Sequence, residues 1–269
     1  MPALDGKCHN KINMKNMIQI ISALSLLLTV SKCCGQSDNV APKPGETAQK
    51  FHLERKQVLD ADYLLFLPEG YTKDESKRWP LILFLHGAGE RGANVWMVAK
   101  HGPPEIVQVT NLPFIVVSPL CPPGQQWNED VLMALLDNVE KQYRVDTHRV
   151  YLTGLSMGGF GTWELGLRHP DRFAAIAPVC GGGETLPIIL ARDFDPAQLA
   201  LIKSLGVWAF HGGKDPTVPP DDSVRMVDLL KKAGCNDVKL TIYPNAQHDS
   251  WTQAYAEPGL FDWFLKHSR

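Results

Sequence analysis

Seven short apolar runs punctuate the chain, at Tyr63–Pro68, Leu81–His86, Phe114–Pro119, Val150–Thr153, Ala174–Val179, Val207–His211 and Val238–Tyr243. Most are continuously apolar rather than alternating, which is the pattern of strands covered on both faces. Between them, apolar residues recur at helical spacing. Glu129–Tyr143 carries Val131, Leu132, Leu135, Leu136 and Val139 with polar residues between them. Asp221–Ala233, closed by Gly234, and Gly259–Lys266 follow the same rule. This alternation predicts an α/β fold, a mostly parallel central sheet with helices on both faces and one core. The first run is expected to pair antiparallel at an edge.

Upstream the pattern changes. Met14-Lys15-Asn16 precedes a largely apolar stretch, Met17–Val30, followed by Ser31-Lys32-Cys33-Cys34-Gly35. A basic start, a short apolar run and small residues at its end describe a signal peptide over 1–35, too short for a stable membrane span. Translation from Met14 is an equivalent reading, because Met1–Asn13 is polar and adds nothing to a signal. A buried N-terminal helix is the alternative. Two readings of the processing stand open: cleavage after Gly35, or lipid attachment at Cys33 or Cys34, for which the preceding Lys32 or Cys33 is unusual. Residues 36–50, with Pro42, Pro44 and Gly45, read as a linker, leaving 51–269 as the folded domain. The expected destination is the periplasm or the medium.

Charge and cysteine usage narrow the classes. Lysine and arginine number 27 against 29 acidic residues; without 1–35 the balance is 23 − 28 = −5. The basic residues are scattered, so no electrostatic footprint for nucleic acid is present. Loss of 1–35 leaves Cys121, Cys180 and Cys235, room for one bridge and no disulfide framework. The nine histidines form no His-x-His or HExxH pattern and no paired CxxC accompanies them, which argues against a metal site.

The chemistry lies in Leu152–Gly161, L-T-G-L-S-M-G-G-F-G. Arg149–Thr153 reads as a strand, and Met157 to His169 as a helix that must end before Pro170. Gly154-Leu155-Ser156-Met157-Gly158 is therefore G-x-S-x-G at a strand-to-helix junction. So sharp a turn leaves no room for side chains two before and two after the serine. It presents the Ser156 hydroxyl above the sheet, at a helix N-terminus that favours negative charge. A glycine-rich turn with an incidental serine is the bland alternative.

Serine alone is a poor nucleophile; it needs a base, and the base needs an orienting acid. In this setting both follow the serine along the chain. Asp215 comes just after the run Val207–His211, in H-G-G-K-D-P-T-V-P. Asp221 and Asp222, at a helix start, read as N-caps. His248 follows the last predicted strand directly, whereas His267, in a terminal helix, reads as a surface residue. His86 and His211 end strands before glycine and read as structural, bonding loop backbone. Asp249 cannot easily reach the ring of its own neighbour.

The expected oxyanion donors are the N–H groups of Met157 and Ala88, the latter in H-G-A-G-E-R-G after the second run. Gly87–Gly92 also matches G-x-G-x-x-G, but no acid stands in Gln108–Ile115, about 20 positions on. No nicotinamide, flavin or other cofactor is expected.

With L-F-L-H-G-A-G-E-R-G, S-P-L-C-P-P-G-Q-Q-W, V-Y-L-T-G-L-S-M-G-G-F-G-T-W, V-C-G-G-G, A-F-H-G-G-K-D-P-T-V-P and Q-H-D-S-W, the chain resembles the α/β-hydrolase superfamily. The similarity is to its single-domain serine esterases, the phospholipase/carboxylesterase or "predicted peptidase" group related to dienelactone hydrolases and feruloyl and acetyl-xylan esterases. It runs from about Tyr63 to the C-terminus. The resemblance implies carboxylic-ester hydrolysis through an acyl-enzyme, with Ser156, Asp215 and His248 on the triad positions and no large lid domain. It implies a small-molecule or polysaccharide-linked ester as substrate, such as acetyl or feruloyl groups on plant xylan.

Trp127 and Trp251 are candidate substrate walls, with ordinary packing of Trp251 under the histidine loop as the alternative. Glu90 and Arg91 read as loop-fixing. Residues 183–205 are longer than a plain link and carry the apolar Leu186–Leu190, so they form either a small flap over the acyl pocket or an ordinary helix with a longer approach. Two rival functions use the same residues: a serine peptidase of the prolyl-oligopeptidase type, which would lack the extra domain of those enzymes, and a non-catalytic binding protein on this fold.

Overall fold

The computed structural model describes residues 50–54 and 56–269, and the compact unit is Lys56–Arg269. The expected signal peptide and almost all of the expected linker lie outside the described residues.

All seven apolar runs are strands of one sheet: β1 (Tyr63–Phe66), β2 (Trp79–Leu85), β3 (Ile115–Pro119), β4 (Val145–Leu155), β5 (Ala175–Val179), β6 (Gly206–Gly212) and β7 (Val238–Tyr243). Their order is β1-β3-β2-β4-β5-β6-β7. β1 pairs antiparallel with β3 at the edge, and every other pairing is parallel. β2 shows why the runs are unbroken. All seven of its residues are buried; Leu81, Leu83 and Leu85 face one helical layer while Ile82 and Phe84 face the other.

The first layer holds α2 (Glu129–Gln142), α3 (Met157–Arg168), α4 (Leu186–Phe194), α5 (Pro196–Ser204) and α6 (Asp221–Lys232). The short α1 (Pro103–Ile106), α7 (Trp251–Tyr255) and α8 (Leu260–Leu265) pack on the opposite face. α2 buries Leu132, Leu135, Leu136 and Val139, and Asn128 caps it by accepting from the Val131 N–H at 3.1 Å. Among the described residues no helix is long and apolar enough to cross a membrane.

Several expectations need correction. β4 begins at Val145, five residues earlier than the apolar run, because Val145 pairs with Trp79 through a bulge that a polar stretch conceals. Neither Asp221 nor Asp222 caps α6. Pro220 holds the N-cap position, and Asp222 pairs with Arg225 at 2.9 Å in the first turn, where the helix dipole favours its charge. His267 is no surface residue. Its ring is half-buried, with Nδ1 2.7 Å from the Trp263 carbonyl and Nε2 2.6 Å from Asp237. Residues 186–204 fold as two short helices pinned to the core by Ile188, Ala191 and Ile202, while Leu186, Leu190 and Phe194 stay exposed. Cys121, Cys180 and Cys235 are all buried and free, so no bridge forms among them.

Candidate active site

The serine turn is held by contacts on three strands. Ser156 has φ 52° and ψ −115°, a left-handed conformation rare for a residue with a side chain. Its N–H donates to the Val179 carbonyl on β5 at 3.0 Å, and its carbonyl accepts from the Phe160 N–H at 3.0 Å. The flanking glycines allow the close approach. A Cβ on Gly154 would stand 2.5 Å from the Gly158 carbonyl oxygen and 2.6 Å from that of Leu85, and one on Gly158 would overlap the Leu85 carbonyl. The collision that sequence reasoning expected is thus mostly with the end of β2. Such strain costs on the order of 1–3 kcal/mol and persists because the surrounding packing determines it.

Asp215 and His248 are brought together by loops zipped along their backbones. After β6, the Gly213 N–H donates to the Tyr243 carbonyl at 2.8 Å and the Lys214 N–H to the Ala246 carbonyl at 2.9 Å. This pulls the β6 loop against the β7 loop. His248 Nδ1 then lies 2.7 Å from Asp215 Oδ2, and His248 Nε2 lies 2.8 Å from Ser156 Oγ. Since a carboxylate only accepts, Nδ1 carries the proton and Nε2 is free to take one from the serine. Asp215 Oδ1 accepts from the Thr217 and Val218 N–H groups at 2.8 and 2.9 Å. Burial tends to raise the pKa of Asp215, but the His248 hydrogen bond and these two backbone donors outweigh it and hold the carboxyl below its ordinary value. Asp249, beside His248, is exposed.

The only other described non-glycine residue with positive φ is Cys180, φ 41°, one residue beyond β5. Burial pushes its thiol up to about 12, so it stays protonated and is unsuited to be the nucleophile.

Met157 is the first residue of α3, where N–H groups have no partner within the helix. Ala88 opens a one-turn 3-10 segment, Ala88–Glu90, after β2 and is exposed. Among the described residues, no backbone carbonyl pairs with the Ala88 or Met157 N–H in the surrounding loops. The Gly87–Gly92 segment contains this 3-10 turn and does not run straight into the long helix that a dinucleotide site requires. Arg91 fixes the loop as expected, donating to the Ala88 carbonyl at 3.0 Å and the Gln125 carbonyl at 2.9 Å. Glu90 is buried; its Oε1 lies 3.8 Å from His101 Nε2, and its Oε2 has no hydrogen-bond partner among the described residues.

The two tryptophans separate. Trp127 lines a cleft of about 580 Å³ with Gln126, Met157, Phe160, Glu164 and Glu184, directly beside the serine turn. Trp251 instead packs at a right angle to the His248 ring, centroids 5.5 Å apart, and also lies 5.5 Å from His101. It braces the histidine and borders a separate depression formed by Asn245–Gln253. Sequence reasoning missed Phe160, Glu164 and Glu184. Phe160 and Glu164 stand four and eight residues after Ser156 on α3, a spacing that puts them on one helix face. Among the described residues, no group of three or more histidine, cysteine, aspartate or glutamate side chains is placed to hold a metal ion.

Comparison with known proteins bears on this geometry. Residues 45–257 match the dienelactone hydrolase family. A probable feruloyl esterase C of Aspergillus terreus is 24% identical over 232 residues, covering 82% of this chain and 78% of its own. A putative carboxymethylenebutenolidase of Escherichia coli is 27% identical over 132 residues, 45% of this chain and 48% of the relative, so the match spans about half of that protein. Among solved structures, a thermostable esterase superposes with a TM-score of 0.61 at 30% identity, covering 77% of this chain and 59% of that one.

Proposed function

The chain belongs to the dienelactone hydrolase family and has the α/β-hydrolase fold; from that premise we propose that it is a carboxylic ester hydrolase working through a serine acyl-enzyme built on Ser156, His248 and Asp215. One observation carries this reading: Ser156 Oγ, on a strained turn, lies 2.8 Å from His248 Nε2, whose other nitrogen lies 2.7 Å from a buried carboxylate.

His248 takes the proton of Ser156 as its oxygen attacks the ester carbonyl. The oxyanion is received by the N–H groups of Met157 and Ala88, aided by the N-terminus of α3. The imidazolium, stabilised by Asp215, then protonates the leaving alcohol. Water activated by the same imidazole cleaves the acyl-enzyme, and the serine recovers its proton. The aromatic walls Trp127 and Phe160 suit a short or aromatic acyl group, and the open cleft suits an ester carried on a sugar polymer. Kinship with a feruloyl esterase supports that choice. The apolar stretch Met17–Val30 supports export to where such polymers occur.

The test is hydrolysis of nitrophenyl esters from acetate to laurate and of methyl ferulate, with Ser156→Ala as control. Turnover abolished in Ser156→Ala, together with loss of labelling by a fluorophosphonate, is expected. Turnover that survives the substitution overturns the serine mechanism.

A further inference from the structure

Asp215 touches two imidazoles. His211, the next-to-last residue of β6, is fully buried, and its Nε2 lies 3.3 Å from Asp215 Oδ2. That is the oxygen which also receives His248 Nδ1, at 2.7 Å. His211 Nε2 is in addition 3.0 Å from the Val218 carbonyl, and its Nδ1 is 2.7 Å from Ser223 Oγ.

Hydrogen-bond accounting fixes the proton on one of these nitrogens. A backbone carbonyl and a carboxylate can only accept, so with both in front of it His211 Nε2 must carry a hydrogen. The other nitrogen faces a hydroxyl that can serve either way. Ser223 Oγ also lies 3.0 Å from the Gly181 carbonyl, so its hydrogen goes either there or to Nδ1. In both cases the Nε2–H donates to the Val218 carbonyl, with Asp215 Oδ2 packed 3.3 Å from the same nitrogen.

Asp215 Oδ1 receives two backbone donors, and Oδ2 receives His248 Nδ1 while the buried His211 ring packs 3.3 Å away. Resting on the triad reading above, we propose that His211 is a positioning residue for the reaction: its Nε2–H holds the Val218 carbonyl, and the Val218 N–H in turn holds Asp215 Oδ1, so that Oδ2 faces His248. Through the Val218 carbonyl the same hydrogen ties down the Gly212–Val218 turn that carries the acid. His211 touches no substrate. It acts on the rate by holding the acid that orients the base, so its loss should lower kcat and leave KM alone.

Two conservative substitutions separate this from mere packing. In His211→Gln the amide nitrogen falls near the place of Nε2 and retains a donor toward the Val218 carbonyl. In His211→Asn it falls near the place of Nδ1 and retains only the contact with Ser223. With kcat expressed per fluorophosphonate-labelled site, His211→Gln is expected within about threefold of the parent. His211→Asn is expected to lose roughly 10- to 100-fold in kcat at unchanged KM, the effect of leaving the buried Val218 carbonyl without its donor. Equal kcat in the two variants, or a change confined to KM, overturns the positioning role. Failure of the parent itself to label or turn over esters overturns the triad reading instead, so the two failures are distinct. Should His211→Asn not fold, the low-field proton resonance of His248 Nδ1–H in His211→Gln decides: an unshifted resonance supports the proposal, and a lost one overturns it.

Discussion

The ring of His86 joins two strand ends: its Nε2 accepts from the Cys121 backbone N–H at 2.9 Å while its Nδ1 donates to the Gly87 carbonyl at 2.6 Å. β2 and β3 each deliver a loop to the site, and this imidazole links them. The Gly92 N–H to the Cys121 carbonyl, 3.3 Å, and Arg91 to the Gln125 carbonyl add further ties. The Trp127 ring leans on His86 with centroids 4.8 Å apart. The ring must be neutral, because Nε2 serves as an acceptor.

That neutrality predicts a pH-dependent stability. Burial lowers the pKa of His86 below the ordinary histidine value, so the unfolded chain takes up this proton first as pH falls. The contribution is therefore complete above about pH 6.5 and is lost below it, as pH descends toward the folded value. Urea midpoints measured between pH 7.5 and 5 should fall more steeply for the parent than for His86→Gln. Equal slopes would mean that His86 is not the group responsible.

Ala88 offers a direct test of the oxyanion donors. Proline has no N–H, and it is tolerated at the first position of a helical turn. Gly87 before it has φ −79° and ψ 178°, a conformation that a following proline permits. Ala88→Pro should fold normally and lose roughly 100- to 1000-fold in kcat with little change in KM, the usual effect of removing one oxyanion donor. An unchanged kcat would move the second donor to another N–H, Gly89 being adjacent.

How far the sequence discloses this site depends on the kind of signal. Most of the strands are legible because burial on both faces makes them unbroken apolar runs, and Ser156 because its turn demands glycine on either side. Asp215 and His248 follow from chain order and from their places just beyond strands. Contacts made by irregular backbone have no such signature. The His211–Asp215 contact spans four residues, yet it exists because the Gly212–Val218 turn folds back, which no periodicity records. The polar start of β4 is invisible for a related reason: Val145–Arg149 pairs or packs at a strand end where burial is incomplete. Nor can local pattern tell that Pro220, rather than an aspartate, opens α6.

Trp127 is the residue through which acyl preference should be readable. It is pinned between the His86 ring and Gly161, where an added Cβ would meet Trp127 Cδ1 at 2.9 Å, and it also lines the cleft beside the serine turn. If it forms a wall for an aromatic acyl group, Trp127→Ala should raise KM for methyl ferulate about tenfold, the worth of one aromatic contact. KM for methyl propionate, whose acyl group is too small to reach the ring, should stay within about twofold on the same argument. Both are measured by proton release at constant pH. Phe160→Ala, in the lining of the same cleft, should reproduce the trend without disturbing His86. Equal rises for the two esters would assign Trp127 to loop packing, and the specificity would then lie with Phe160 and the two glutamates.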